Sequence, residues 1–352
     1  MRAYLLEEFG EQLSEREIDD PEPTGAEVLV RVISCGLCHT DLHFQDGFFD
    51  LGGGHHFNVV DEGFSLPATL GHEVYGEIED FGPESGFNAG DRDRRVIVFP
   101  WIGCGQCDFC TSGRSNICPE PRRIGVHRPG GYAEKVLVPE ARFLIDAEGI
   151  DPVLAGPYAC SGLTAYSALR KLGPIQDEWI AIVGLGGVGL MALAIAKGTG
   201  FGKVVAIDID DAKLRTARDD YGADLTFNAG SGNVGEVITS ELGGLAGVVD
   251  FVGSTASVSQ SAAFMKGNGV YVSVGLFGGE LRFPLPPLAV QQLQFRGSFT
   301  GTLAEFEELL GLVRQGRIKP IPARPVPIAD VNRSMRELRE GHISGRVVLT
   351  HR

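Results

Sequence analysis

The chain has 352 residues, 43% of them apolar, with 49 glycines, seven cysteines and a formal charge of −15. This is apolar material for one very large domain or two ordinary ones, and the glycine excess has no Gly-X-Y period, so it marks tight turns and close backbone approaches. A pI near 5.0 without a basic cluster excludes the positive face that nucleic acid or an anionic membrane surface requires.

The first residues carry Arg2, Glu7, Glu8 and Glu11 and no apolar run of the kind a signal peptide needs. A cytoplasmic location is therefore expected, where cysteines serve more often as metal ligands or nucleophiles than as disulfides. From Met1 to about Ala155, short strands are predicted at Val28–Ile33, Val74–Ile78, Arg95–Phe99 and Glu134–Val138, separated by Gly, Pro and Asp clusters. That pattern reads as an irregular, mostly β domain.

From about Ser161 to Leu288 strands and helices alternate. Strands are expected at Ile180–Val183, Val204–Ile207, Leu225–Asn228, Val248–Val252 and Gly269–Val274, with helices starting near Val188, Asp211, Val234 and Ser257. Such alternation means βαβ units and a parallel sheet with helices on both faces. The eighteen uncharged residues from Trp179 to Ala196 reach the lower length limit of a membrane span, but four glycines divide them into a β-rich half and a helix-forming half. After Gln294 come a strand (Phe295–Phe299), a helix (Leu303–Arg314), a proline-rich turn region (Lys319–Pro327) and a last strand, Arg346–Thr350.

Gly184, Gly186, Gly187, Val188 and Gly189 spell Gly-x-Gly-x-x-Gly between a predicted strand and a predicted helix. There the first glycine allows the turn, the second admits a pyrophosphate and the third lets helix and strand pack closely. Asp208 ends the next strand, placed to accept hydrogen bonds from an adenosine ribose and to repel a 2′-phosphate, which favours NAD over NADP. Lys213 is within reach of the same ribose, although a solvated helix lysine is an equally simple reading.

Cys104, Cys107, Cys110 and Cys118 place four thiols within fifteen positions. Four thiolates so spaced form a closed tetrahedral shell, the donor set of a structural zinc. An iron–sulfur cluster is the rival reading, but the fourth cysteine stands too far off and lacks a second run. A more dispersed set, Cys38, His72 and Cys160, supplies a Cys₂His shell with a fourth position left for water or substrate, the donor set of a catalytic zinc.

The segments CGLCHTDLH (35–43), LPATLGHEVYGEIEDFG (66–82), GCGQCDFCTSGRSNIC (103–118), GGYAEKVLVP (130–139), ACSGLTAYSALRKL (159–172), IVGLGGVGLMALAIAK (182–197), VSVGLFGGEL (272–281), GSFTGT (297–302) and GRVVL (345–349) resemble, in order, the zinc-dependent medium-chain alcohol dehydrogenase family, and particularly its tetrameric bacterial and archaeal branch. The resemblance implies an α/β fold, with a GroES-like mostly-β catalytic domain at 1–157 and 295–352 and a Rossmann NAD-binding domain at 158–294. It implies two zinc ions per chain and a homotetramer. It assigns Cys38, His72 and Cys160 to the catalytic zinc with Glu73 beside it as an exchanging ligand. Thr40 would accept the alcohol proton, His43 would pass it on by way of the cofactor ribose, and Asp41 would orient His72. His39, Val274, Leu276 and Arg346 match positions that contact the cofactor. A cysteine at 160, where the polyol branch carries glutamate, points away from polyols.

The expected activity is thus reversible hydride transfer between NAD and a primary or secondary alcohol, aromatic or medium-chain, giving aldehyde or ketone, with no nucleic acid or membrane partner. A non-catalytic NAD-binding protein of the same fold and a zinc-free quinone reductase are the other readings; the intact set Cys38, Thr40, His43, His72 and Cys160 tells against the first, and both cysteine systems against the second. One departure stands out: 33 residues separate Cys38 from His72, more than in most relatives, and they include Gly52-Gly53-Gly54-His55-His56. This segment is expected to be a flexible loop near the substrate entrance, where Phe48, Phe49 and Trp101 would wall the pocket, or else a surface loop or oligomer contact.

Overall fold

The computed structural model describes residues 1–175, 177–232 and 234–351. Among these, two large sheets dominate. The first is seven-stranded. Its path runs Leu144–Asp146, Arg95–Val98, Glu73–Phe81, Val28–Gly36, Arg346–Thr350 and Ala323–Pro327, and Lys135–Val138 also pairs with Val28–Gly36. A smaller sheet joins Ser14–Glu17, Arg2–Leu6 and Ala68–Thr69. The second large sheet is wholly parallel and six-stranded, in the order Leu225–Asn228, Lys203–Asp208, Trp179–Val183, Leu245–Asp250, Met265–Ser273, Gln294–Gly297. By chain order this is 3-2-1-4-5-6, the doubly wound arrangement whose ligand crevice opens where the order reverses, between Trp179–Val183 and Leu245–Asp250.

Side-chain alternation explains the layers. Ile180 and Ile182 face one hydrophobic core while Ala181 and Val183 face another, and Val204 and Ala206 divide from Val205 and Ile207 in the same way. A strand buried on both faces needs apolar residues at every position. The first core continues through the mostly β half, so one apolar interior ties the two halves together. No described helix is long and apolar enough to cross a membrane; Trp179–Ala196 is indeed strand, turn and helix, with the helix spanning Gly187–Thr199.

The structure departs from the sequence expectations in four places. Gln294–Gly297 lies in the parallel sheet, so the chain returns to the first half a few residues later than position 294. The proline-rich 319–327 region includes a strand, Ala323–Pro327, at the sheet edge, where Pro325 and Pro327 can sit without a missing donor breaking an interior ladder. The helix Val331–Arg339 buries Val331, Met335 and Leu338 at helical spacing. And the glycine-rich insertion is not a loose loop. It is a β-hairpin, Phe48–Gly52 with His55–Asn58, turned by three consecutive positive-φ glycines, 52 to 54. Its tip leans on the other half, since a Cβ at Gly52 would come within 3.0 Å of the Gly279 backbone.

Candidate metal and coenzyme site

The pairing of Gly36 with Glu73 brings two chain turns to one end of the first sheet. Just past Gly36, Cys38 caps the helix His39–Asp46; just before Glu73 stands His72. A third element arrives from behind. The helix Pro152–Pro157 runs on into a π-helical turn, Tyr158–Gly162, which carries Cys160. Gly156 permits the approach: a Cβ there would lie 2.2 Å from the Glu73 carbonyl oxygen. Gly36 is required for a similar reason, because its Cβ would lie 1.9 Å from Glu73 Oε2.

The result is a buried quartet, Cys38, His72, Glu73 and Cys160, whose ligand atoms all lie within 4.8 Å of one another. Both ring nitrogens of His72 and Glu73 Oε2 are buried without a hydrogen-bond partner among the described residues. Buried polar atoms left unpartnered are costly; a divalent cation would take Glu73 Oε2 and one ring nitrogen of His72, while His72 Nδ1 faces Asp41 Oδ1 at 3.4 Å. The two thiols are 3.9 Å apart. The hydrogen bond between them, with His72 nearby, holds Cys38 well below the ordinary thiol value, while the same bond and burial push Cys160 well above it. Opposed shifts are what two groups sharing one proton show; a zinc ion would take both as thiolates. The donor set fits zinc.

Asp41 holds this arrangement. It is 1% exposed, it accepts the Cys38 amide (2.9 Å), the Tyr132 hydroxyl (2.8 Å) and the Gly71 amide (3.3 Å), and its Oδ1 stands 3.4 Å from His72 Nδ1. It therefore fixes both the cysteine and the histidine from one point, as carboxylates behind metal-bound imidazoles do. Tyr132 carries no sequence signal for this role.

Glu73 is paired with Arg346, both buried. Burial pushes the Glu73 carboxyl up to about 7, and the Arg346 guanidinium opposes the shift. Arg346 also lies against the glycine turn, since a Cβ at Gly187 would come 2.7 Å from its Cδ. One side chain thus joins the metal cluster to the expected pyrophosphate position. In that turn Gly184 has φ +85, and a Cβ at Gly189 would strike the Gly184 carbonyl at 1.7 Å, whereas one at Gly186 would meet nothing. The open side is where a phosphate can approach.

Asp208 ends its strand with Oδ2 accepting the Leu185 amide (2.6 Å) and Oδ1 accepting the Asp210 amide (3.0 Å), so it braces the glycine turn. Lys213 lies one helical turn on, half-buried. Val274 follows the strand Met265–Ser273 and donates its amide to the Asp250 carbonyl; Leu276 is 46% exposed. His39 opens its helix on the exposed side, and the Thr40 hydroxyl lies 3.6 Å from Cys38 Sγ.

His43 stacks on Phe49 of the hairpin, ring centroids 4.7 Å apart. Phe48 points the other way and stacks on His56, so the hairpin brings Phe49 to the site and leaves Phe48 outside it. Trp101 comes to the cluster: its ring centroid is 5.4 Å from that of His72, and its indole N–H donates to the Ala159 carbonyl beside Cys160. Phe299 packs edge-on against Trp101 at 5.7 Å, a pocket residue sequence reasoning passed over.

Burial pushes the imidazoles of His43, His127 and His351 below their ordinary value. Below about pH 6.5 the unfolded chain takes up protons at these rings before the folded chain does, so their contribution to stability is complete above that pH and declines as pH falls. The thermal midpoint is expected to drop by a few degrees between about pH 7 and about pH 5.5, with a shallower slope in His351→Gln. A slope that His351→Gln leaves unchanged would contradict this origin.

The second cluster, Cys104, Cys107, Cys110 and Cys118, is equally compact, with ligand atoms within 4.8 Å. The amides of Cys104 and Glu120 donate to Cys118 Sγ (3.3 Å each), and that of Cys107 to Cys104 Sγ (3.4 Å). The Gln106 and Cys107 amides pull the Cys104 thiol down to about 7, which favours the thiolate a metal needs. Four sulfurs and no open position fit a structural zinc.

Residues 24–148 match the family described as alcohol dehydrogenase GroES-like domain, and 187–315 that described as zinc-binding dehydrogenase. The chain is 35% identical to an NAD-dependent alcohol dehydrogenase of Sulfurisphaera tokodaii, over 99% of each chain, and equally identical to one of Saccharolobus solfataricus over the same share. The crystal structure of an alcohol dehydrogenase from Aeropyrum pernix superposes with a TM-score of 0.88 at 29% identity, covering 99% of this chain and all of that one.

Proposed function

The chain belongs to the zinc-dependent medium-chain alcohol dehydrogenase family and is an NAD- and zinc-dependent alcohol oxidoreductase; from that premise we propose how its own residues divide the work. The observation that carries the proposal is the buried Cys38, His72, Glu73, Cys160 quartet joined through Arg346 to the glycine turn. Cys38, His72 and Cys160 would hold the catalytic zinc and the four clustered cysteines the structural one. When bound, zinc supplies Lewis-acid polarisation of the alcohol oxygen and NAD supplies the hydride acceptor.

The protein does the rest. Thr40, beside Cys38, takes the hydroxyl proton. His43, one helical turn on, is kept neutral by burial and so is able to hold a proton at its imidazole before releasing it to solvent. Phe49 fixes the plane of that ring, giving the hairpin a part in the site. Asp41 orients His72, and Glu73, balanced by Arg346, stands as an exchanging partner of the metal. Trp101 and Phe299 exclude water from the reacting carbon. His39, Val274, Leu276 and Lys213 would contact the cofactor.

The catalytic half comprises residues 1–157 and the segment after Gly297, and the coenzyme half the stretch between. The enzyme acts in the cytoplasm, in keeping with seven cysteines of which none is paired in a disulfide. It assembles as a homotetramer, which would cover the largely exposed Phe277, Leu285 and Val290.

NAD is expected to be preferred over NADP, with Asp208 as the discriminating group. In Asp208→Ala, the KM for NAD should rise by about ten- to a hundredfold, the worth of a charge-assisted hydrogen bond, while NADP improves. Steady-state rates with both cofactors decide; a wild-type preference for NADP would overturn the role of Asp208.

A further inference from the structure

Among the described residues, seven buried side-chain polar atoms lack a partner, and they fall into two groups. Four belong to the metal cluster and its arginine. The other three, Asn116 Oδ1, Arg123 Nε and Thr300 Oγ1, gather at Phe299. The Asn116 amide donates to the Phe299 carbonyl (2.9 Å), Thr300 follows it in the chain, and the Arg123 guanidinium lies over its ring, Cζ 4.7 Å from the centroid. Phe299 is 37% exposed and packs on Trp101, which packs on His72. Backbone bonds from Arg122 to Ile102 and from Ile124 to Pro100 lay the arginine's strand along the segment that carries Trp101.

Arg123 is poorly paired for its burial. Its side chain is 12% exposed, and among the described residues its only carboxylate is Glu62, 3.5 Å away and 36% exposed. A guanidinium offers five N–H donors, and burying it half-satisfied is costly. Its Nε–H is the buried donor left without a partner among the described residues.

We propose that Arg123 is a specificity-determining residue that binds the carboxylate of an alcohol substrate acidic at its far end, an ω-hydroxy acid or the matching aldehyde acid. The inference rests on the alcohol dehydrogenase reading above. Arg123 Nε and the Thr300 hydroxyl are both donors, suited to the two oxygens of one carboxylate, and Asn116 Oδ1 is suited to a water that carboxylate retains. The ring contacts run from His72 through Trp101 and Phe299 to the arginine, which places it away from the reacting end of the site. In the reaction the carbinol C–H leaves as hydride to NAD, the hydroxyl proton leaves to solvent, a C=O forms, and the carboxylate is unchanged.

The test compares kcat/KM for 6-hydroxyhexanoate and hexan-1-ol with the zinc-loaded enzyme. The wild type should favour the acid by about tenfold, and Arg123→Leu should lower that ratio by about a hundredfold by removing a charge-assisted partner. Arg123→Lys should keep the acid preference in part, and Glu62→Gln, at a half-exposed position, should increase it. Hexanoate should raise the thermal midpoint of the wild type and not of Arg123→Leu, a readout independent of turnover. If hexan-1-ol is oxidised and Arg123→Leu leaves the ratio and the hexanoate shift unchanged, Arg123 has no such role and the alcohol dehydrogenase reading stands. If no alcohol reduces NAD, both fail together.

Discussion

Cys38→Ser is expected to lose one of two bound zinc ions and to lower NAD reduction by alcohols at least about a thousandfold, the effect of removing several kcal/mol of charge stabilisation, while the fold persists. The residue joins three features of the site. Its sulfur is one of the quartet's ligand atoms, its amide is held by Asp41, and its sulfur lies beside the hydroxyl of Thr40, the residue proposed to take the proton. A serine keeps the amide bond and nearly the volume, so the fold loses little, but a hydroxyl is a poor zinc donor at neutral pH. Unchanged circular dichroism and thermal midpoint with activity gone and one zinc retained is the expected combination. Activity near wild type would place the chemistry elsewhere.

Cys104→Ser should do the converse. The 103–118 segment has little regular structure, only the short helical turns Asp108–Thr111 and Ser115–Ile117, and a metal bound by its four cysteines would hold it. Losing that metal should cost about 5 kcal/mol or more and lower the thermal midpoint by about 10 °C or more. Chemistry should survive at low temperature with a raised KM, because the segment also buttresses the pocket: the Ser115 hydroxyl donates to the Trp101 carbonyl (3.0 Å), and Asn116 to that of Phe299. An unaltered midpoint would show the four sulfurs to be dispensable for stability. The two variants together separate a site that reacts from one that holds.

Much of this was legible in the chain because the relevant constraints are local or compositional. Metal donors must be Cys, His or a carboxylate, and a phosphate turn must be glycine, so Cys38, His72, Cys160, the four clustered cysteines and Gly184 to Gly189 could be named from residue type and spacing. Strands buried on both faces are apolar throughout, which gave the core of the parallel sheet. What could not be read were contacts between distant segments. Tyr132 meets Asp41 across 91 positions, Arg346 meets Glu73 across 273, and nothing in an Arg-Arg pair at 122–123 announces a guanidinium stacked on Phe299.

Local signals also misled where their meaning depended on the fold. Gly52 to Gly54 suggested mobility, yet their positive φ values form a hairpin turn whose tip is seated against Gly279. Phe48 and Phe49 are adjacent, so strand alternation sends only one of them to His43. Prolines 325 and 327 suggested a turn, whereas an edge strand accommodates them.

The zinc content of the purified chain, read against its rate of NADH formation with an alcohol, decides whether alcohols are oxidised at a zinc site built by Cys38, His72 and Cys160. Two zinc ions per chain are predicted, with the rate proportional to zinc occupancy of the Cys38, His72, Cys160 site. Full activity in a chain holding one zinc or none would contradict it.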